Sequence, residues 1–139
     1  MAKVFVSFDY EHDRHYKYLL QAWSANPRFE LSFEDLTPGE IDSNNIGRIK
    51  AALSTQINDA VFTLILVGQY VNQPHPKRDL IGKVNWVNWE ISKSIEAHNL
   101  LVAVRLEPSC PSPLELARVY SVTWIEGFDE AAIRRAIGG

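Results

Sequence analysis

Val61-Phe-Thr-Leu-Ile-Leu-Val67 is the most continuous apolar run in the chain. An apolar run without polar alternation is typical of a central strand in a parallel sheet, where helices cover both faces. The sequence therefore predicts a buried parallel strand at 61–67, with the other elements arranged around it.

On the amino-terminal side of this strand, two strand patterns each lead into a helical pattern. A β-rich run covers Val4 to Phe8, and residues 29–33 alternate apolar and polar side chains as a half-buried strand does. After a polar segment at 9–17, a helical stretch covers Tyr18 to Trp23 and ends near Pro27. A second helical pattern runs from Ile46 to Ile57, after an N-cap region predicted at Asp42-Ser43.

On the carboxyl-terminal side, a long loop at 68–85 precedes a helix at 86–97, strands at 100–106 and 119–125, and a short helix at 129–137. The alternation predicts an α/β fold: an open, five-stranded, mostly parallel sheet with helices on both faces, in a single domain covering residues 1–139. In such sheets ligands bind at the carboxyl ends of the strands. We therefore expect the site among the loops at 8–13, 34–43 and 68–86.

Charge and apolar patterning argue against two classes of partner. The net charge of −3 gives no basic surface for nucleic acid. No apolar stretch reaches the roughly 18 residues of a membrane helix, and the first residues lack the pattern of a signal peptide. The single cysteine, Cys110, has no internal disulfide partner, which fits a reducing compartment. We expect a cytoplasmic protein that binds neither nucleic acid nor membrane.

The loops also argue against several enzyme classes of similar fold. Residues 8–13 contain no glycine, so they do not form the phosphate cradle of a dinucleotide-binding fold. The third strand ends in Val67-Gly-Gln-Tyr70, without the aspartate of a phosphoacceptor receiver. Ser7 lacks a nucleophile elbow. His12 and His15 share a helical spacing, but no second pair completes a metal site, so no metal is expected.

The most distinctive pattern is Trp86-Val-Asn-Trp-Glu90, at the start of a helix directly after the longest loop. Positions i and i+4 lie on one helix face, so Trp86 and Glu90 can line one side of a pocket. An indole beside a carboxylate suits a nucleoside, since the ring stacks or shields and the carboxylate binds ribose hydroxyls. The alternative is that Trp86 and Trp89 anchor the core while Glu90 is solvated. The spacing alone leaves both interpretations open.

Three motifs together resemble those of TIR domains. They are Val4-Phe-Val-Ser-Phe8 followed by Asp13, Glu34-Asp-Leu-Thr-Pro-Gly39 with Ile41, and Trp86-Val-Asn-Trp-Glu90-Ile91. They occur in the expected order and loops, and the resemblance covers about residues 4 to 97. It is strongest to the standalone prokaryotic TIR proteins of Thoeris antiphage defence, and it implies the TIR variant of the flavodoxin-like fold.

The resemblance implies cleavage of NAD at the nicotinamide–ribose bond, with NAD as substrate and no cofactor. Glu90 matches the catalytic carboxylate of the family, and Phe8, Asp9 and Trp86 match its substrate-binding positions. Asp9 departs from the basic residue that some NAD-cleaving TIR domains carry there. The expected product is an ADP-ribose derivative, cyclic or conjugated.

The resemblance also implies partners. In catalytic TIR domains, the loop matching Pro38 and Gly39 of one subunit meets the pocket of another, so self-association on activation is expected. A separate effector protein is expected to sense the product in antiphage defence. Two other functions stay open: a non-enzymatic TIR-like interaction module, in which Glu90 is a surface residue, and a nucleoside-processing transferase of similar fold.

A further departure is the insertion at 72–85, which carries three basic residues where many TIR domains pass more directly to the helix that bears the glutamate. Lys77, Arg78 and Lys83 admit two interpretations: they receive the pyrophosphate of a dinucleotide, or they only solvate the loop. The sequence slightly favours solvation of the loop, and it does not identify the positions that contact phosphate.

Overall fold

The apolar run at 61–67 forms the central strand of a five-stranded parallel sheet. A computed structural model describes residues 2–24, 31–34 and 45–138. Its strands are β1 (Ala2–Ser7), β2 (Leu31–Glu34), β3 (Phe62–Val67), β4 (Leu100–Arg105) and β5 (Val122–Glu126). They lie in the order β2-β1-β3-β4-β5, and every pair is parallel. The predicted α/β class and the five-stranded sheet are confirmed.

Helices cover both faces of the sheet. They are α1 (Tyr10–Ser24), α2 (Ile46–Asp59), α3 (Arg78–Ile81), α4 (Trp86–Glu96) and α5 (Glu130–Gly138), with a 3₁₀ turn at Leu114–Leu116. Successive strand residues point to opposite faces. Leu64 and Leu66 of β3 therefore join the core on the α1 and α5 side, while Ile65 and Val67 join the core on the α4 side. Burial of β3 on both faces explains why its sequence lacks polar alternation.

The first helix begins eight residues earlier than predicted, at Tyr10 rather than Tyr18. Its buried positions in the first two turns are Asp13 and Lys17, one helical turn apart, followed by Leu20. Because polar residues occupy the inward face there, the apolar periodicity that reveals most helices is missing. The predicted start of this helix at Tyr18 is wrong for this reason.

Smaller differences concern helix caps and the long loop. Helix α2 is capped by Asn45, whose side chain accepts a hydrogen bond from the Arg48 amide, and the predicted cap at Asp42-Ser43 lies outside the described residues. The loop predicted at 68–85 contains the short helix α3. Strand β5 begins at Val122 rather than Val119.

None of the helices in the described part of the chain has the length and apolar character required to cross a bilayer.

Candidate functional site

A cleft of about 590 Å³ opens at the carboxyl end of β1. Four segments line it: residues 8–11 after β1, Ile46 and Ile49 of α2, the loop from Tyr70 through residues 73–77, and the start of α4 at 85–87. A cleft of this size accommodates a ligand as large as a dinucleotide, within the range of about 300–1,000 Å³ for small-molecule sites. Its place at the strand ends agrees with the general rule for open parallel sheets.

All three residues predicted to bind substrate line this cleft. Phe8 follows β1 directly and is buried, and Trp86 is half-buried, with its ring edge-to-face with that of Trp89 at 5.6 Å between centroids. The Asp9 carboxylate contacts His12 Nδ1 at 2.7 Å and accepts a hydrogen bond from the Glu11 amide at 3.1 Å. The fold therefore brings Phe8, Asp9 and Trp86 together, although their roles stay predictions.

Glu90 lies one helical turn after Trp86 and is almost completely buried, with 2% of its surface exposed. Its carboxyl oxygen Oε1 accepts a hydrogen bond of 2.7 Å from Ser7 Oγ, at the end of β1. Glu90 is not among the described residues that line the cleft. The alternative placed Trp86 and Trp89 in the core and Glu90 in solvent. Trp89 is buried in the core and Trp86 is half-buried, but the solvated Glu90 is wrong, because α4 turns this side chain toward the sheet.

Burial has a large effect on the ionisation of Glu90. Loss of water around the charged form raises the pKa of its carboxyl from an ordinary 4.5 to about 8, and the hydrogen bond from Ser7 opposes only part of that rise. The carboxyl is therefore mostly protonated at neutral pH. A strongly raised pKa beside a cleft is typical of functional carboxyls.

Asp13 provides a second buried carboxyl, in the first turn of α1. It is 8% exposed, and its oxygen Oδ2 has no hydrogen-bond partner in the described part of the chain. The carboxyl lies against Gly68, the residue after β3, where an added Cβ would collide with Oδ2. Burial, reinforced by the charge of Asp9, raises the Asp13 pKa from 3.8 to about 6, while His12 and His15 lower it. No sequence pattern pairs Asp13 with Gly68.

Comparison with known families fits this architecture. Residues 5–109 match the family model described as the TIR-like domain of the Thoeris protein ThsB. The chain belongs to this TIR-like family. Among solved structures, it is similar to the TIR domains in the activated Roq1 resistosome that directly recognises the pathogen effector XopQ. The identity there is 18%, with a TM-score of 0.44 over 78% of this chain and 61% of that one. No curated protein sequence matches the chain.

The chain of this TIR-like domain thus spans about three-fifths of the Roq1 chain that it matches. The Pro38-Gly39 loop, which the resemblance implied in assembly, lies outside the described residues. Its role therefore stays a prediction.

Asn85 joins the cleft wall of the TIR-like domain to α4. Its side-chain oxygen caps the helix by accepting a hydrogen bond from the Asn88 amide at 3.0 Å. Its side-chain nitrogen donates to the carbonyls of Val71 at 2.8 Å and Gln73 at 3.0 Å. The helix predicted at 86–97 begins at the same residue as α4, but the prediction did not include the hydrogen bonds from Asn85 to the loop. An asparagine directly before a predicted helix was the available signal.

The three cations of the insertion have different surroundings. Lys77 lines the cleft. The guanidinium of Arg78 donates to the carbonyl of His75 at 3.2 Å, and the ammonium of Lys83 pairs with Glu115 at 3.0 Å. Of these three cations, Lys77 is the one that lines the cleft. The sequence alone did not single it out.

The histidines near the amino terminus of α1 contact neighbouring side chains. His12 contacts Asp9 and stacks on Tyr70 with 3.8 Å between ring centroids, and His15 packs against Tyr16 at 4.0 Å. Within residues 2–24, 31–34 and 45–138, no group of three or more His, Cys, Asp or Glu side chains is arranged to hold a metal ion. The stacked His12 and Tyr70 instead join α1 to the loop that follows β3.

Proposed function

We propose that this TIR-like domain cleaves NAD at the nicotinamide–ribose bond, with Glu90 as the essential carboxylate. The observation that carries the proposal is a buried carboxyl of raised pKa, one helical turn from a tryptophan that lines a cleft of dinucleotide size. Phe8 and Asp9 contribute to the same cleft from the end of β1. In this proposal they and Trp86 hold the substrate.

The chemistry needs only one carboxylate. Nicotinamide in NAD is a cationic pyridinium, and when the C1′–N bond breaks, its electron pair moves to the ring nitrogen and neutralises it. The leaving group therefore needs no proton from a general acid. Glu90 holds the ribose hydroxyls and stabilises the positive charge that develops at C1′ and the ring oxygen. The attacking oxygen of water then bonds to C1′ and releases a proton, giving ADP-ribose.

Other acceptors give other products by the same first step. A ring nitrogen or a ribose hydroxyl of the same molecule yields a cyclic isomer, and a different nucleophile yields a conjugate. We propose that such an ADP-ribose derivative is the signal of an antiphage response and that a separate effector protein binds it.

We propose that bound substrate changes the ionisation of Glu90 and that self-association changes its access to the ribose. Stabilising a cation requires the ionised carboxylate, whereas burial keeps this carboxyl mostly protonated at neutral pH. A pyridinium held nearby lowers the pKa of a carboxyl by charge attraction, so bound NAD promotes the active form. Because Glu90 is 2% exposed, we propose that it meets the ribose only after a rearrangement that accompanies self-association, with Pro38 and Gly39 in the contact.

A second candidate function is a TIR-like module that acts only by docking to other proteins. The observation that favours it is that Glu90 is hydrogen-bonded to Ser7 and does not line the cleft, as expected of a structural carboxyl. A measurement of catalysis distinguishes the two functions.

The test is release of nicotinamide from NAD by the full chain, followed by mass spectrometry with and without lysate from phage-infected cells. We expect Glu90→Gln to lower the rate about a thousandfold or more. Glu96→Gln is the matched control, since Glu96 lies on the same helix but is exposed and pairs with Lys93. Release unaffected by Glu90→Gln, or absent under every activating condition, would defeat the enzymatic proposal and favour the docking module.

A further inference from the structure

Hydrogen bonds connect the part of the insertion that lines the cleft to itself and to α2. The His75 amide donates to the carbonyl of Val84 at 2.8 Å, which closes the segment from 75 to 84 into one unit. Lys50 of α2 donates from Nζ to the carbonyl of Leu80 at 3.0 Å. The backbone that carries the cleft-lining side chains of this segment is therefore tied by hydrogen bonds to itself and to α2.

Lys77 is the insertion cation that is available to a ligand. It lines the cleft, and its ammonium has no acidic partner within the described residues. Arg78 and Lys83 have their own partners, the carbonyl of His75 and the carboxylate of Glu115. An unpaired ammonium on a cleft wall favours binding of an anion.

His75 adds a second hydrogen-bond donor beside Lys77. Its ring nitrogen Nδ1 accepts a hydrogen bond of 2.9 Å from the Lys77 amide. In the neutral ring this leaves the proton on Nε2, so the free nitrogen is a donor. His75 is half-buried and lines the same cleft. The backbone of one residue thus fixes the ring of the other.

Another part of the cleft wall carries the opposite charge. Asp9 and Glu11, in the segment that follows β1, line the cleft. NAD has a matching pattern, with a cationic nicotinamide at one end and an anionic diphosphate in the middle. The charges of these two parts of the wall therefore favour one orientation of the dinucleotide.

We propose that Lys77, with His75 as a second donor, forms the subsite for the diphosphate of the dinucleotide, which places the nicotinamide ribose toward Phe8, Asp9 and Trp86. This inference rests on the proposed function, because it assigns the orientation of the same substrate. It selects for dinucleotides over nucleosides, since a nucleoside lacks the group that Lys77 binds.

The kinetic test compares two substrates. For Lys77→Ala we expect the KM for NAD to rise roughly ten- to hundredfold, the effect of losing one charge-assisted contact, with little change in kcat. Cleavage of nicotinamide riboside, which has no phosphate, should be unchanged. Lys83→Ala is the matched control and should leave the KM for NAD as it is. An unchanged KM in Lys77→Ala overturns the subsite while leaving the proposed function intact.

A binding test separates the two proposals if cleavage is absent. Calorimetric titration of the full chain with ADP-ribose should show binding that weakens roughly ten- to hundredfold in Lys77→Ala but not in Lys83→Ala. Binding with this dependence, but without nicotinamide release, supports the subsite and defeats the proposed catalysis. Failure of ADP-ribose to bind, or equal binding by Lys77→Ala, overturns the subsite.

Discussion

Glu90 and Asp13 are both buried carboxyls near the carboxyl edge of the sheet, but their surroundings differ. Glu90 belongs to α4, receives a hydrogen bond from Ser7 and lies one turn from the cleft residue Trp86. Asp13 belongs to α1, lies against Gly68 and leaves Oδ2 without a partner in the described part of the chain. Burial raises the pKa of both, to about 8 for Glu90 and about 6 for Asp13.

A raised pKa alone therefore does not identify a catalytic group. Asp13 lies where α1 meets the loop after β3, beside the stacked rings of His12 and Tyr70, so its position suits a packing role. Glu90 lies one turn from the cleft residue Trp86, and this position is what supports the catalytic role that we propose for it. For Asp13 we propose a structural role only.

The largest expected effect concerns the pH dependence of stability. Glu90 keeps its proton in the folded state up to a pH of about 8, whereas the unfolded chain loses it near 4.5. Its contribution to the free energy of unfolding is therefore complete below pH 4.5 and is lost as pH rises to about 8, by about 1.4 kcal/mol per unit and on the order of 3–5 kcal/mol in total. Urea unfolding of Glu90→Gln between pH 5 and 8 should lack this decline.

Asp13→Asn is the control for that comparison. The pKa of Asp13 is raised from 3.8 to about 6, so this variant should change the pH dependence only below about pH 6. If Glu90→Gln keeps the full decline between pH 6 and 8, Glu90 is not the buried acid described here.

A smaller effect is expected where Asp13 meets Gly68. Gly68→Ala introduces a Cβ into the space of the Asp13 carboxyl and should lower the free energy of unfolding by about 1–3 kcal/mol. In an Asp13→Ala background the same substitution should cost much less, since the colliding group is gone. Equal costs in both backgrounds, measured by chemical denaturation, would show that the two residues are not in contact.

The smallest effect is expected at Ser7. Ser7→Ala removes the hydrogen bond that lowers the pKa of Glu90, so that pKa should rise further and the onset of kcat/KM should move to higher pH. The free energy of unfolding should fall by about 1 kcal/mol. The substitution should have no effect on the pH profile of residual activity in Glu90→Gln. If Ser7→Ala alone does not shift the pH profile of kcat/KM, Ser7 does not donate a hydrogen bond to Glu90.

The fold could be predicted from the sequence because most helices and strands show the spacing of apolar residues typical of their type. The apolar run of β3 indicates a strand that is buried on both faces, and the spacing of apolar residues in α2 indicates a helix with one buried face. Both elements form where predicted. The start of α1 was missed because its inward positions are Asp13 and Lys17 rather than apolar residues. Hydrophobic patterning detects burial only where the buried side chains are apolar.

The candidate functional site could be predicted from the sequence only in part. Spacing and family resemblance brought Glu90 and Trp86 to attention, and Phe8, Asp9 and Trp86 do share the cleft. The contact between Ser7 and Glu90 joins residues 83 positions apart, and no local pattern encodes such a pairing. A serine within the apolar run of β1 was the only hint, since a buried hydroxyl requires a partner. The choice of Lys77 over Lys83 likewise depends on tertiary packing.

The catalytic role proposed for Glu90 is tested by the rate of nicotinamide release from NAD in the Glu90→Gln and Asp13→Asn variants, compared at pH 8 under activating conditions. We expect folded Asp13→Asn to keep most of the activity and Glu90→Gln to lose about a thousandfold or more. Equal losses in the two variants, or a Glu90→Gln protein as active as the original, would show that Glu90 is not the essential carboxylate.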